Sequence, residues 1–345
     1  MNMTSYQSLD AIQYCFPSVK GSCIRNSLPA TAKVVLYTLV VGLITVVVSG
    51  NLLVIISVAH FRQLHSPTNY LTLSLAVTDL FVGLLVLPFS MVRSIETCWY
   101  FGNTFCKIHS TFDIAVTSVS VFHLCFIAID RYFAVCDPLR YSSTITFSVT
   151  AIFVTICWAV PASFSSFIIF TGKNSTNNIL TSGYCEGFCM IIFDEVWGIT
   201  SPLVTFFLPD SIMIVIYVKV FVVASSHAKV ISSITDRKTS VKKQHAKSMK
   251  EANKKAIKTL ALIMGAFVMC WLPCMVILMI SICFNDLIPT VVFEIVNWLA
   301  YFNSACNPMI YGLFYPWFRR AFKTILTGKI FRIASSTTNL FPEHD

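Results

Sequence analysis

The sequence predicts an all-α membrane protein: a seven-transmembrane helix bundle with a short amphipathic interfacial helix after the seventh span. Three observations carry that expectation. The 345 residues are 56% hydrophobic and only 12% charged, with a mean hydropathy of +0.73, outside the range of water-soluble chains. Seven apolar stretches, 34–59, 69–92, 107–134, 148–171, 196–222, 258–282 and 290–314, are long enough to cross a hydrocarbon core about 30 Å thick. Lipid offers the backbone no hydrogen-bond partners, so each stretch has to be a helix.

The elements follow in order. An amino tail, 1–33, precedes the first span, and Met1 to Phe16 shows no basic region followed by an apolar run, so no cleaved signal peptide is expected. The helical body spans 34–314, without the inverted repeat that transporters use. In the third span Asp113 and Arg131 are eighteen residues apart, about 27 Å along a helix, so they sit near opposite membrane faces. After the seventh span Phe318, Phe322 and Ile325 recur at i, i+4, i+7 opposite Arg319, Arg320 and Lys323. That pattern predicts a helix lying in the interface, within a cytoplasmic segment 315–345. No cysteine follows Cys306, so the tail offers no palmitoylation site.

Charge sets the orientation. With the amino terminus outside, the outer segments hold Lys20, Arg25, Lys33, Arg93, Lys107 and Lys173, and the other nineteen of 25 basic residues lie inside. The sequons at Asn2 and Asn174 then fall on the outer side, where glycosylation is possible. The net charge of +9 suits an anionic inner leaflet or an acidic partner surface and does not call for nucleic acid. Of thirteen cysteines, Cys15, Cys23, Cys98, Cys106, Cys185 and Cys189 lie outside. Three disulfides are the economical reading; metal binding competes, but no histidine stands at ligand spacing. The other seven, in or at the ends of spans, read as small apolar fillers.

An ionisable residue within a spanning helix is costly and marks a functional site, which makes Asp113 the first candidate. The plain alternative is an acid held by internal hydrogen bonds. Asp113, Thr117, Ser120 and Leu124 share one helix face. An ammonium beside that carboxylate would form a charge-assisted hydrogen bond, and aromatic walls would add about 0.5–2 kcal/mol of cation–π attraction per ring.

One motif per span carries a resemblance: Gly50-Asn51, Leu75-Ala76-Val77-Thr78-Asp79, Asp130-Arg131-Tyr132, Trp158, Pro209, Phe267-Val268-Met269-Cys270-Trp271-Leu272-Pro273 and Asn307-Pro308-Met309-Ile310-Tyr311. Together, in this order and spacing, they resemble the rhodopsin-like G protein-coupled receptors. The run Asn303-Ser304-Ala305-Cys306 into that last motif, Phe314-Tyr315-Pro316-Trp317-Phe318-Arg319, Leu64-His65-Ser66-Pro67-Thr68-Asn69, Cys98-Trp99-Tyr100-Phe101-Gly102 and Asn339-Leu340-Phe341 are similar to the trace amine-associated receptors. The resemblance implies a plasma-membrane receptor for small protonated amines, with a heterotrimeric G protein of the stimulatory or olfactory type as partner and cAMP as output. No catalytic constellation is present. The alternatives are a conventional biogenic-amine receptor, against which the seventh-span fingerprint argues, and an amine transporter, against which the Asp-Arg-Tyr and Asn-Pro-x-x-Tyr motifs argue.

The resemblance also assigns residues. Asp113 would bind the ammonium, with Tyr301 beside it, Trp271 at the floor, and Thr117 and Trp298 on the walls; the plain reading of these aromatics is core or lipid packing. Ser201 and Thr205 stand at fifth-span hydroxyl positions, and Pro202 where diamine-sensing relatives carry a second acid, which favours monoamines. Cys274 and Met275 replace the usual aromatics and thin the cage on that side. Asp79, Ser120, Asn303 and Asn307 resemble a sodium-holding cluster, so a sodium ion is the one cofactor-like group implied; a water-linked network is the alternative. Asp130, Arg131, Tyr132 and Tyr311 would form the G protein switch, Arg131 pairing with Asp130 at rest. Cys106–Cys189 is the expected pairing, with two further bridges among Cys15, Cys23, Cys98 and Cys185 clamping the amino tail. Asp210, after Pro209, has no place in the pattern.

Asn253 stands where many relatives carry an acid that restrains Arg131, and Glu251, about 200° around the helix, does not substitute. Asn253→Glu should therefore lower agonist-independent signalling at matched surface expression and shift agonist curves slightly rightward. A partly exposed ion pair is worth about 0–1 kcal/mol, so the active fraction should change by no more than roughly fivefold. Unchanged basal signalling would show that other contacts hold the sixth helix.

Overall fold

The structure is a computed structural model describing residues 13–171, 185–189, 195–235, 240–284, 288–332 and 334–340. Asn2, Asn174, Asp194 and the side chains of Glu251 and Asn253 lie outside the described residues. The spans are α1 (Ala30–His60), α2 (Pro67–Glu96), α3 (Asn103–Cys136), α4 (Phe147–Thr171), α5 (195–235), α6 (Ser240–Phe284) and α7 (Thr290–Phe314), followed by α8 (Pro316–Leu326). Six of these are apolar enough to cross a membrane by length and composition alone; α7 falls short because its inward face carries Glu294, Asn303 and Asn307.

Local chemistry sets the bends. Ser66 caps α2, accepting from the Asn69 N–H at 3.3 Å, and Pro67 occupies the first turn, where its missing N–H costs nothing. Within α2 a π-turn over Val82–Val86 precedes Pro88, and within α5 a second π-turn, Leu203–Phe207, follows Pro202. Each shifts the helical register, so residues beyond it face differently from what a 3.6-residue period projects. Pro161, Pro273 and Pro308 lie inside α4, α6 and α7.

Close approach and buried polar contacts join the helices. A Cβ on Gly50 would meet Pro308 at 2.9 Å, so α1 and α7 touch there only because position 50 lacks one. Beside it Asn51 donates to the Val47 and Ser304 carbonyls at 2.9 and 3.0 Å, supplying a donor to α7 just before its proline. Ser74 ties three spans, meeting His123 Nε2 at 2.8 Å and accepting from the Trp158 indole at 3.0 Å. The apolar side chains of α1, such as Val34 and Leu39, point outward and exposed, as a lipid-facing helix requires.

At the inner end α8 buries Phe318 and Ala321, with Phe318 stacked on Tyr311 at 5.6 Å. The tail then turns back along α1. Leu340, 1% exposed, donates its N–H to Gln63 Oε1 at 2.8 Å, and Ser335 Oγ lies 3.0 Å from His60 Nε2.

Three disulfides close the outer end: Cys15–Cys98, Cys23–Cys185 and Cys106–Cys189. Backbone bonds knit the same strip, Cys15 N–H to Cys23 O, Cys23 N–H to Glu186 O and Trp99 N–H to Gly187 O, at 2.8 to 2.9 Å. Arg25 and Lys33 both pair with Glu96, which also accepts from the Tyr37 hydroxyl. The amino segment is thus a cap built onto the bundle. Peptide mapping under non-reducing conditions should recover all three pairs; Cys15 and Cys23 both found free would remove the cap.

Candidate functional site

α3 runs through the middle of the bundle and carries an acid toward each end. Near the outer end Asp113 is half-buried, and its carboxylate accepts a 2.6 Å hydrogen bond from the Tyr301 hydroxyl of α7. That hydroxyl also lies 3.4 Å from Ser90 Oγ of α2. Trp298 sits edge-on to the Tyr301 ring at 5.5 Å and donates its indole N–H to Ser94 Oγ at 3.1 Å, while Ser94 donates to Glu294. Thr117 is half-buried one turn below, but its hydroxyl donates to the Asp113 carbonyl at 2.7 Å.

Trp271 (α6) is buried against Phe206 and Phe267, which stack at 5.8 Å, and its indole nitrogen has no hydrogen-bond partner. Cys274 is buried one turn above, and Met275 packs partly buried on the same core. On α5 Ser201 is buried and Thr205 donates to its carbonyl at 2.8 Å. Asp210 is buried with Oδ1 unpartnered, and nothing nearby explains it.

The structure adds Ser90, Arg93, Ser94, His109 and Phe206 to this region. The sequence counts Arg93 as an outer basic residue, yet its Nε is buried without a hydrogen bond on the α2 face of Ser90 and Ser94, in the field of Tyr301, Glu294 and Asp113. At about 100° per residue Ser90, Arg93 and Ser94 all project within roughly 60° of Asp79, so they share its inward face. The spacing 90, 93, 94 within the outer segment was the available signal.

Deeper in the bundle Asp79 is fully buried and accepts from Ser120 Oγ at 3.3 Å and Asn307 Nδ2 at 2.8 Å, with Ser304 of α7 also acting on it; Asn303 is buried on α7, but no bond joins it to Asp79 among the described residues. A carboxylate and hydroxyls are oxygen donors of the kind a hard monovalent cation takes.

At the inner end Asp130 has no exposed surface and is the hub of a closed network. Arg131 pairs with it through Nε at 2.8 Å and a second nitrogen. Thr68 donates to both carboxylate oxygens at 3.0 and 3.1 Å and accepts from Arg131 at 2.6 Å, and the Tyr141 hydroxyl donates at 2.9 Å. Tyr132 is half-buried against Phe133; Tyr311 is buried. Arg131, Thr68, Ile127, Tyr311 and Tyr315 line a cavity of about 320 Å³ at this end.

Thr68→Val removes both roles of that hydroxyl without changing shape. Hydrogen bonds to charged groups are worth about 1.5–3 kcal/mol, so the resting arrangement should weaken by roughly tenfold or more. Agonist-independent activity at matched surface expression should rise, and Thr68→Ser should restore it; a silent Thr68→Val would show the hub tolerates the loss.

Residues 50–311 match the family described as 7 transmembrane receptor (rhodopsin family). The chain is 44% identical to trace amine-associated receptor 4 of Mus musculus over the full length of both. It is 44% identical to trace amine-associated receptor 13c of Danio rerio over 98% of each. It is 42% identical to trace amine-associated receptor 2 of Homo sapiens over 90% of this chain and 87% of that one.

Proposed function

The chain belongs to the trace amine-associated receptors of the rhodopsin family, and from that premise we propose that it senses small protonated amines at the outer membrane face and signals through a heterotrimeric G protein. It is a multi-pass membrane receptor and not an enzyme. The observation that carries the ligand reading is Asp113 itself: a half-buried carboxylate bonded by one phenol, with His109 and Arg93 as its charged or ionisable neighbours and no ion pair closed among the described residues. A primary ammonium is the complement it lacks, with Tyr301 fixing the carboxylate and Trp298 and Trp271 supplying aromatic faces.

The response is a two-state equilibrium. The closed Asp130 network describes a resting inner end, and an amine shifts the balance only by binding the active arrangement more tightly. Release of Arg131 into the inner cavity, as α6 moves outward, would present it to the G protein. A sodium ion held by Asp79, Ser120, Asn303 and Asn307 would favour the resting side by neutralising a buried carboxylate. Coupling to a stimulatory or olfactory G protein, a rise in cAMP and expression in olfactory neurons follow from the family resemblance. Plasma-membrane placement with the amino terminus, Asn2 and Asn174 outside is supported by the basic bias of the inner segments.

Asp113→Ala should abolish responses to every amine while leaving surface expression intact. Truncating one partner of a desolvated ion pair costs roughly 3–5 kcal/mol, or about two to four decades in potency. Agonist potency within threefold of wild type would exclude Asp113 as the ammonium site.

A further inference from the structure

The outer ends of α2 and α7 meet along two rows of side chains. Ser90, Arg93 and Ser94 recur at i, i+3, i+4, and Glu294, Trp298 and Tyr301 at i, i+4, i+7, so each row shares one helix face. The rows are pinned to each other: Ser90 lies 3.4 Å from the Tyr301 hydroxyl, Trp298 donates to Ser94 at 3.1 Å, and Ser94 donates to Glu294. Arg93 shares the Ser90–Ser94 face, next to the Ser94 that bonds Glu294, and the charges of Glu294 and Asp113 act on its guanidinium. Nε is buried there without a hydrogen bond, and among the described residues Arg93 closes no ion pair. A guanidinium held in such a place is sustained by the field of carboxylates around it.

Counting charge gives its consequence. Asp113 and Glu294 bring two negative charges and Arg93 one positive, while His109 bonds the Val86 carbonyl through Nε2 and buries Nδ1 without a partner, the arrangement of a neutral imidazole. One ammonium on Asp113 brings the pocket to zero. Glu294 lies seven residues outward from Tyr301, about 10 Å along the helix, so two ammoniums on a four- to six-carbon chain could otherwise bridge both acids. Resting on the reading of Asp113 as the ammonium site, we infer that Arg93 is a built-in substitute for a second ammonium: it cancels Glu294 and restricts the pocket to singly charged amines. This is a different device from an acid missing on α5. The second anion is present and already spent, and a diamine would bring its far charge beside a guanidinium with nothing left to balance it.

The test uses the full-length receptor at matched surface expression, read with dissociation sensors for several G protein classes so that the outcome does not depend on which one couples. Pentylamine and cadaverine, which differ by one ammonium, are the probes. Wild type should favour pentylamine by at least tenfold. Arg93→Met should raise cadaverine potency at least tenfold, and pentylamine should not weaken, because losing a cation deepens the negative potential around Asp113. Arg93→Lys should keep the wild-type preference, and adding Glu294→Gln to Arg93→Met should erase the gain. Arg93→Gln removes the same charge and gives the same reading should the methionine variant fail to reach the surface. Unchanged cadaverine potency in both neutral variants, with wild type answering pentylamine, overturns this inference alone. A wild type that answers neither probe defeats the amine-receptor reading and this inference with it.

Discussion

A carboxylate in an apolar bundle has to be given donors, and three aspartates meet that demand in three ways. Asp79 is closed off between a serine and an asparagine amide. Asp130 is enclosed by a threonine, a tyrosine and the neighbouring arginine. Asp113 is left half-open with one phenol. Much of the helix packing follows from these demands, because the donors come from other spans: Thr68 from α2, Asn307 and Tyr301 from α7, Tyr141 from the turn after α3. Removing a buried charge from water costs several kcal/mol unless such partners are in place, so the acids fix which helices lie against α3. Of these three Asp113 is the one left incompletely satisfied, and it is the one proposed to answer a ligand; Asp210, buried with Oδ1 unpartnered, stands outside this pattern.

Seven helices, their order and the amphipathic α8 were legible because lipid enforces them: only a helix satisfies its own backbone, and only apolar side chains tolerate its surroundings. Asp79, Asp113 and Asp130 stood out for the same reason, as charges where charge is expensive. The outer face of α2 was not legible. Arg93 reads as one more basic residue near a membrane surface because nothing in the sequence names its surroundings on α7; in the fold its Nε is buried and the adjacent Ser94 bonds Glu294. Thr117, Ser201 and Thr205 show a second limit. Their type suggests pocket hydroxyls, but Thr117 and Thr205 donate to carbonyls one turn back, a local bond that composition cannot foresee. The closing Asn339-Leu340 read only as a family mark; in the fold Leu340 is a buried plug between α1 and α8.

The two ends of the molecule differ in how they are held. Outside, covalent bridges and the Glu96 ion pairs tie the amino segment to α2 and the loop before α5. Inside, the Asp130 hub, the Tyr311–Phe318 stack and the docked tail are non-covalent and separable. A receptor that binds at one face and rearranges at the other needs that asymmetry: a rigid rim preserves the pocket's shape while the inner contacts exchange.

The wiring of the cap also governs how the chain is made. Cys15 pairs across 83 residues and Cys23 across 162, so both emerge from the ribosome long before their partners and wait as near neighbours of each other. A thiolate attacks the disulfide of an oxidising partner, and the resulting mixed disulfide is resolved by a second thiolate within reach, which for Cys15 at that stage is Cys23. A Cys15–Cys23 bridge formed at that stage would have to be reopened before Cys15 could reach Cys98 and Cys23 reach Cys185. The cap thus makes maturation depend on disulfide exchange as well as on helix insertion.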